Sequence, residues 1–126
     1  MARNLQETFD SIDKQDAAGF VAGLTDDVLF TFGNHPSAVG HEAVIAGVEA
    51  FWSSIGGLRH RIQDLWEAEP NVTVVWLLVD YTRLDGQVVT VPCVDILRWT
   101  GDKISDWRIV VDVAPVYAPL DAIAAS

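Results

Sequence analysis

A carboxylate set among valines is the feature of this chain most suited to chemistry. Asp112 closes the run Trp107-Arg-Ile-Val-Val-Asp, where burial is costly unless the group finds a partner. A desolvated carboxyl group has a raised pKa and can take or give a proton near neutral pH. Arg108 lies four residues back on the same strand face, about 13 Å away at strand spacing, so it joins such a site from across the sheet or pairs with another acid. Three more polar groups interrupt apolar strand faces. Asn34 follows Phe30 and Phe32, His60 alternates with Leu58, Ile62 and Trp66, and Asp80 continues Val74, Trp76 and Leu78. Each also has an ordinary reading: Asn34 as a turn residue, His60 as a hydrogen-bonded core or surface group, Asp80 as a solvated strand end, and Asp112 as a cap on the sheet. Their convergence predicts a catalytic set of Asp112, Asp80, His60, Asn34 and Arg108. Phe32, Trp52, Trp76, Leu78, Tyr81 and Val110 are the expected substrate contacts. Cys93 follows Pro92 in a strand and reads as a small core residue, because no motif supplies an activating base. His35, His41 and His60 have no ligand spacing, so no metal is expected. No phosphate loop or nucleotide fingerprint predicts a cofactor.

These groups need strands to carry them and helices to cover the strands. Residues Asn4 to Gln15 place Leu5, Phe9 and Ile12 on one helical face, and Asp16 caps a second helix running through Leu24. A strand follows from Val28 to Asn34, then a turn over residues 34–37. A third helix runs from His41 to Ile55, its stripe made by Val44, Ile45, Val48, Phe51, Trp52 and Ile55, and Gly56-Gly57 ends it. Four long strands come next: Leu58–Ala68, Val72–Leu84, Gln87–Thr100 and Lys103–Ala114. Glu69-Pro70-Asn71, Asp85-Gly86 and Gly101-Asp102 are the turns between them. The order α-α-β-α-β-β-β-β defines an α+β fold without internal repeats. The tail after Pro115 reads as mobile or folded over a pocket. In the last strand Ile104, Asp106, Arg108, Val110 and Asp112 are expected to share one face, and Trp107, Ile109, Val111 and Val113 the other. Helices cover one side only, so the opposite side is expected to be buried in a homodimer.

The 126 residues suit one domain, with a core over about residues 5–117 and a tail over 118–126. A single cysteine excludes an intramolecular disulfide framework and fits a reducing, cytoplasmic setting. The start of the chain lacks the apolar core of a signal peptide, and no stretch reaches the ~18 apolar residues of a membrane span. A net charge of −10 argues against nucleic acid, anionic membranes and strongly anionic ligands. The remaining partner class is a neutral or weakly polar small molecule.

The segment Gly101-Asp-Lys-Ile-Ser-Asp-Trp-Arg-Ile-Val-Val-Asp resembles the ending of SnoaL-like domains in the nuclear transport factor 2-like superfamily. Asp80-Tyr-Thr-Arg-Leu-Asp-Gly, the passage from Val91-Pro-Cys into the next strand, and the helix order extend the resemblance over roughly residues 5 to 117. It implies a cone: a strongly curved, mostly antiparallel sheet wrapped around about three N-terminal helices, with an internal apolar pocket. The superfamily includes ketosteroid isomerases, polyketide cyclases and limonene-type epoxide hydrolases, as well as binding modules. The resemblance implies that Asp112 is the general base, Asp80 the hydrolases' acid and Asn34 the holder of their water. It gives His60 the acid or orienting role of a histidine in some cyclases. Phe32 stands where those hydrolases have tyrosine, and Leu78 where they have the arginine bridging the two acids. The reading that follows is a cofactor-independent isomerase or cyclase acting on an apolar ketone, polyketide or terpenoid. Epoxide opening and non-catalytic ligand binding or dimerisation are the alternatives.

Overall fold

The computed structural model describes residues 4–119; the expectation for the end of the tail, residues 120–126, lies outside the described residues. Helix α1 (Leu5–Asp13) starts where the Asn4 carboxamide accepts the Glu7 N–H at 3.1 Å, and it buries Leu5 and Phe9. Helix α2 (Ala17–Val21) is capped by Asp16, which accepts the Gly19 N–H at 3.0 Å. It stops before Leu24, because β1 (Leu24–Phe32) begins there, four residues earlier than the apolar pattern suggested. The segment after the 34–37 turn holds a short strand, β2 (Ala38–Val39), paired antiparallel with β1. Helix α3 (His41–Trp52) follows Gly40, whose φ of 87° suits glycine.

Three long strands, β3 (Gly57–Glu69), β4 (Val72–Thr82) and β5 (Val88–Thr100), lead to β6 (Lys103–Val111) and a single helical turn, α4 (Ala114–Tyr117). The sheet runs β2-β1-β6-β5-β4-β3, antiparallel except for the parallel β1–β6 pair. This is the expected α+β architecture, with a mixed, curved, open sheet.

One face of the sheet carries the core. On β4 it presents Val75, Leu77, Val79 and Tyr81, all buried; on β5 it presents Cys93, Asp95 and Leu97. Trp107 stands at its centre, fully buried, with Phe9 and Phe20 edge-on at 5.6 and 5.3 Å. Two strands break their alternation. An extra residue in β3 between Ile62 and Asp64 turns Trp66 to the outer face, where it is 50% exposed. The extra Ser105 in β6 lets Ile104 and Trp107, three apart, both point inward.

The side groupings read from alternation hold along β4 and for Trp107 and Ile109 on β6, but the face carrying most of the candidate acids is the outer one. A period of two separates two faces without saying which the helices cover.

Candidate active site

Between the helices and the inner sheet face lies a cavity of about 500 Å³. Phe20, Phe30, Phe32, Phe51, Trp52 and Ile109 form much of its wall. Four polar side chains from three adjacent strands also line it: His60 on β3, Tyr81 on β4, and Cys93 and Asp95 on β5. Of the sequence-predicted residues, it therefore gathers His60, Phe32, Trp52 and Tyr81.

The others stand elsewhere. Asp112 is exposed beyond the end of β6, and its Oδ1 accepts the Ala114 N–H at 2.9 Å, which ties down the start of α4. The parity that puts Trp107 and Ile109 inside puts Arg108, Val110 and Asp112 outside. Arg108 is exposed and bonds Asp106 at 3.4 Å, and Val110 is 59% exposed. Asp80 is also on the outer face. Arg61 grips it with Nε and Nη2 at 2.9 and 2.8 Å, and Thr90 donates at 2.6 Å. The Arg61 hydrogen bond foremost, then that of Thr90, holds its carboxyl below the usual carboxylate range. That favours the ionised form of Asp80 and makes it a poor proton donor. Trp76 and Leu78 share this face, half-buried, and do not line the cavity. Asn34 is exposed in the turn after β1. The set needed for epoxide opening, Asn34 with Asp80 and Asp112, is thus not assembled.

Two acids absent from the sequence-based set hold the cavity's chemistry. The first is Asp13, the last residue of α1. Its carboxylate accepts the His60 backbone N–H at 3.0 and 3.1 Å and contacts His60 Nδ1 at 2.6 Å. The imidazole is 10% exposed and tilted against Phe9, with ring centroids 5.1 Å apart. An ionised carboxylate can only accept, so Nδ1 bears hydrogen and Nε2 is the basic nitrogen of the neutral ring.

The second is Asp95, 1% exposed in the middle of β5. Cys93 Sγ donates to its Oδ1 at 3.2 Å and Trp107 Nε1 to its Oδ2 at 3.2 Å. Burial pushes its pKa up to about 6, opposed by the Cys93 hydrogen bond, the nearby His60 and the Trp107 N–H. Tyr81 is 2% exposed and its hydroxyl has no hydrogen-bond partner among the described residues. Burial, with Cys93 and Asp95 adding to it, pushes its phenol well above the usual value, so it stays a neutral donor. Cys93 is buried as expected, and burial raises its thiol far from thiolate.

The signal for Asp95 was present in the sequence. Val91, Cys93, Asp95, Leu97 and Trp99 alternate on β5 with one charge at the centre of the apolar set. Asp13 left no such mark, because a helix-terminal aspartate looks like any solvated one.

Among the described residues no Lys or Arg lines the cavity, and no group of three or more His, Cys, Asp or Glu side chains is arranged to hold a metal ion. No helix among them is long and apolar enough to cross a membrane.

A mixed curved sheet folded over helices, with a polar cluster inside an apolar cavity, is the architecture of a known group. The SnoaL-like domain family model matches residues 5–107, and the chain belongs to that family. No curated protein matches it. Among solved structures, a nuclear transport factor 2-like protein of unknown function from Burkholderia pseudomallei superposes with a TM-score of 0.80 at 22% identity, covering 90% of this chain and 94% of its own. A protein with a ketosteroid isomerase-like fold from Catenulispora acidiphila, in complex with trimethylamine, gives 0.83 at 12% identity, covering 96% and 98%. A protein assigned as a SnoaL-like polyketide cyclase from Jannaschia sp. gives 0.76 at 17%, covering 91% and 90%. At these identities the likeness is one of fold.

Proposed function

We propose that the chain is a cofactor-independent acid/base enzyme that moves a proton next to the carbonyl of an apolar ketone or polyketide-like molecule, leading to isomerisation or cyclisation. The observation that carries this reading is the meeting, in one apolar cavity, of a carboxylate-backed histidine and a buried carboxyl group near neutrality. His60 takes the proton on Nε2, with Asp13 fixing the tautomer and stabilising the imidazolium. Tyr81 and protonated Asp95 donate to the carbonyl oxygen as negative charge develops there. The enolate then regains a proton at another carbon or attacks an electrophile within the same molecule. Asp95 acts as an acid, so turnover falls as pH rises through about 6. The base role expected for Asp112 passes to His60, because Asp112 is outside the cavity.

The test is exchange of α-hydrogens in heavy water, followed by proton NMR over a panel of polycyclic ketones and β-diketones. Wild-type protein is expected to accelerate exchange on a subset, with His60→Gln and Asp95→Asn each losing roughly 10²-fold or more. Binding without exchange across the panel would reduce the cavity to a ligand pocket. Label from heavy-oxygen water entering a product would instead indicate hydrolysis. The expected partner of the outer face remains a second copy of the chain. Half-exposed Trp66 and the half-buried Trp76, Leu78, Val94 and Ile96 on that face support this reading.

A further inference from the structure

We propose that Cys93 is a positioning residue for proton transfer, its thiol turning its S–H away from Oδ1 when Asp95 is protonated, so that the acid carries its proton on Oδ1 and can give it to a bound oxygen. The proposal rests on the acid role given to Asp95 above and on the chemistry of the two groups that hold it. Trp107 Nε1, 3.2 Å from Oδ2, is an indole N–H that can only donate, so Oδ2 remains an acceptor in either protonation state. Cys93 Sγ, 3.2 Å from Oδ1, can donate through S–H or accept through sulfur. The ionised carboxylate is therefore met by two donors. The protonated acid needs one partner to reverse or turn aside, and only the thiol can. Burial keeps Cys93 as a thiol, so its hydrogen is retained through the cycle. Tyr81, unpartnered among the described residues and lining the same cavity, offers a second donor to any oxygen bound there. Among the described residues, His60 on β3, Tyr81 on β4, Cys93 on β5 and Trp107 on β6 interact with Asp95, with Asp13 behind His60, and His35, Ser54 and Tyr117 are the other polar groups lining the cavity.

Loss of a donor that favours the ionised form raises the acid's pKa, and a stronger donor lowers it. The experiment is a carboxyl-carbon NMR titration of the full chain carrying labelled aspartate, with the Asp95 resonance assigned through Asp95→Asn. Cys93→Ala is expected to move the midpoint up by roughly half a pH unit or more. Cys93→Ser, whose hydroxyl also donates and accepts, is expected to move it below the wild-type value. The two shifts have opposite signs, which altered packing alone does not produce. An unchanged or lowered midpoint in Cys93→Ala, or a raised one in Cys93→Ser, overturns the proposal. Should the alanine variant fail to fold, the serine variant decides alone. The titration needs no substrate, so its outcome is separate from that of the exchange assay: loss of the proposed reaction leaves it readable, and its failure leaves the reaction standing.

Discussion

A buried carboxyl group costs stability wherever it must ionise, and Asp95 makes that cost measurable. Unfolded, it titrates near ~3.9; folded, at about 6. Between these values the folded chain binds more protons than the unfolded one, so stability falls as pH rises from about 4 through about 6 and stays lower above it. The contribution is up to about 3 kcal/mol. Denaturant midpoints measured for wild type and Asp95→Asn are expected to show this slope in the first and its loss in the second, with the variant the more stable of the two at pH 8. Asp13 contributes through its hydrogen bonds. Its carboxylate receives the His60 ring and backbone, so Asp13→Ala is expected to cost about 2 kcal/mol in denaturant unfolding and to free the ring. At this scale the sequence was half legible. His60 stood out as a polar group on an apolar strand and Tyr81 as an expected substrate contact, and both line the cavity. Asp112 stood out by the same rule and does not, since a valine neighbour in a strand points to the opposite face.

The elements explain the difference. Strand alternation was readable along β4, where Val74, Trp76, Leu78 and Asp80 do share a side. What it could not supply was which side α1 to α3 would cover, and extra residues in β3, after Ile62 and again after Glu67, and in β6 reverse the count partway. The helices were legible through their caps and apolar stripes, apart from their ends. α4 was not read at all. Its one turn depends on tertiary anchors: Asp112 holding the Ala114 N–H, Arg83 Nη1 donating to the Pro115 carbonyl at 3.0 Å, and the Tyr117 and Ser54 hydroxyls 2.7 Å apart. Asp112→Ala therefore removes one hydrogen bond, about 1 kcal/mol, and is expected to leave exchange activity within a few-fold of wild type. Asp80→Asn, on the outer face, is likewise expected to leave activity intact. A large loss of turnover in either variant, with the fold retained, would return the site to the outer side of the sheet.

The whole molecule separates two apolar faces with different uses. The inner one encloses the cavity; the outer one exposes Trp66 and Val110 beside the half-buried Trp76 and Leu78. Pairing of two copies through that face predicts a dimer of the 13.8 kDa chain in sedimentation, and Trp76→Glu is expected to yield a monomer. A monomeric wild type at micromolar concentration would remove that reading without touching the cavity. The protonation of the cavity's buried acid can be measured without knowing the substrate. Carboxyl-carbon NMR of the unmodified protein should place the Asp95 midpoint at about 6. A midpoint near 4 would show an ordinary ionised carboxylate at neutral pH, and would contradict its assignment as the proton donor.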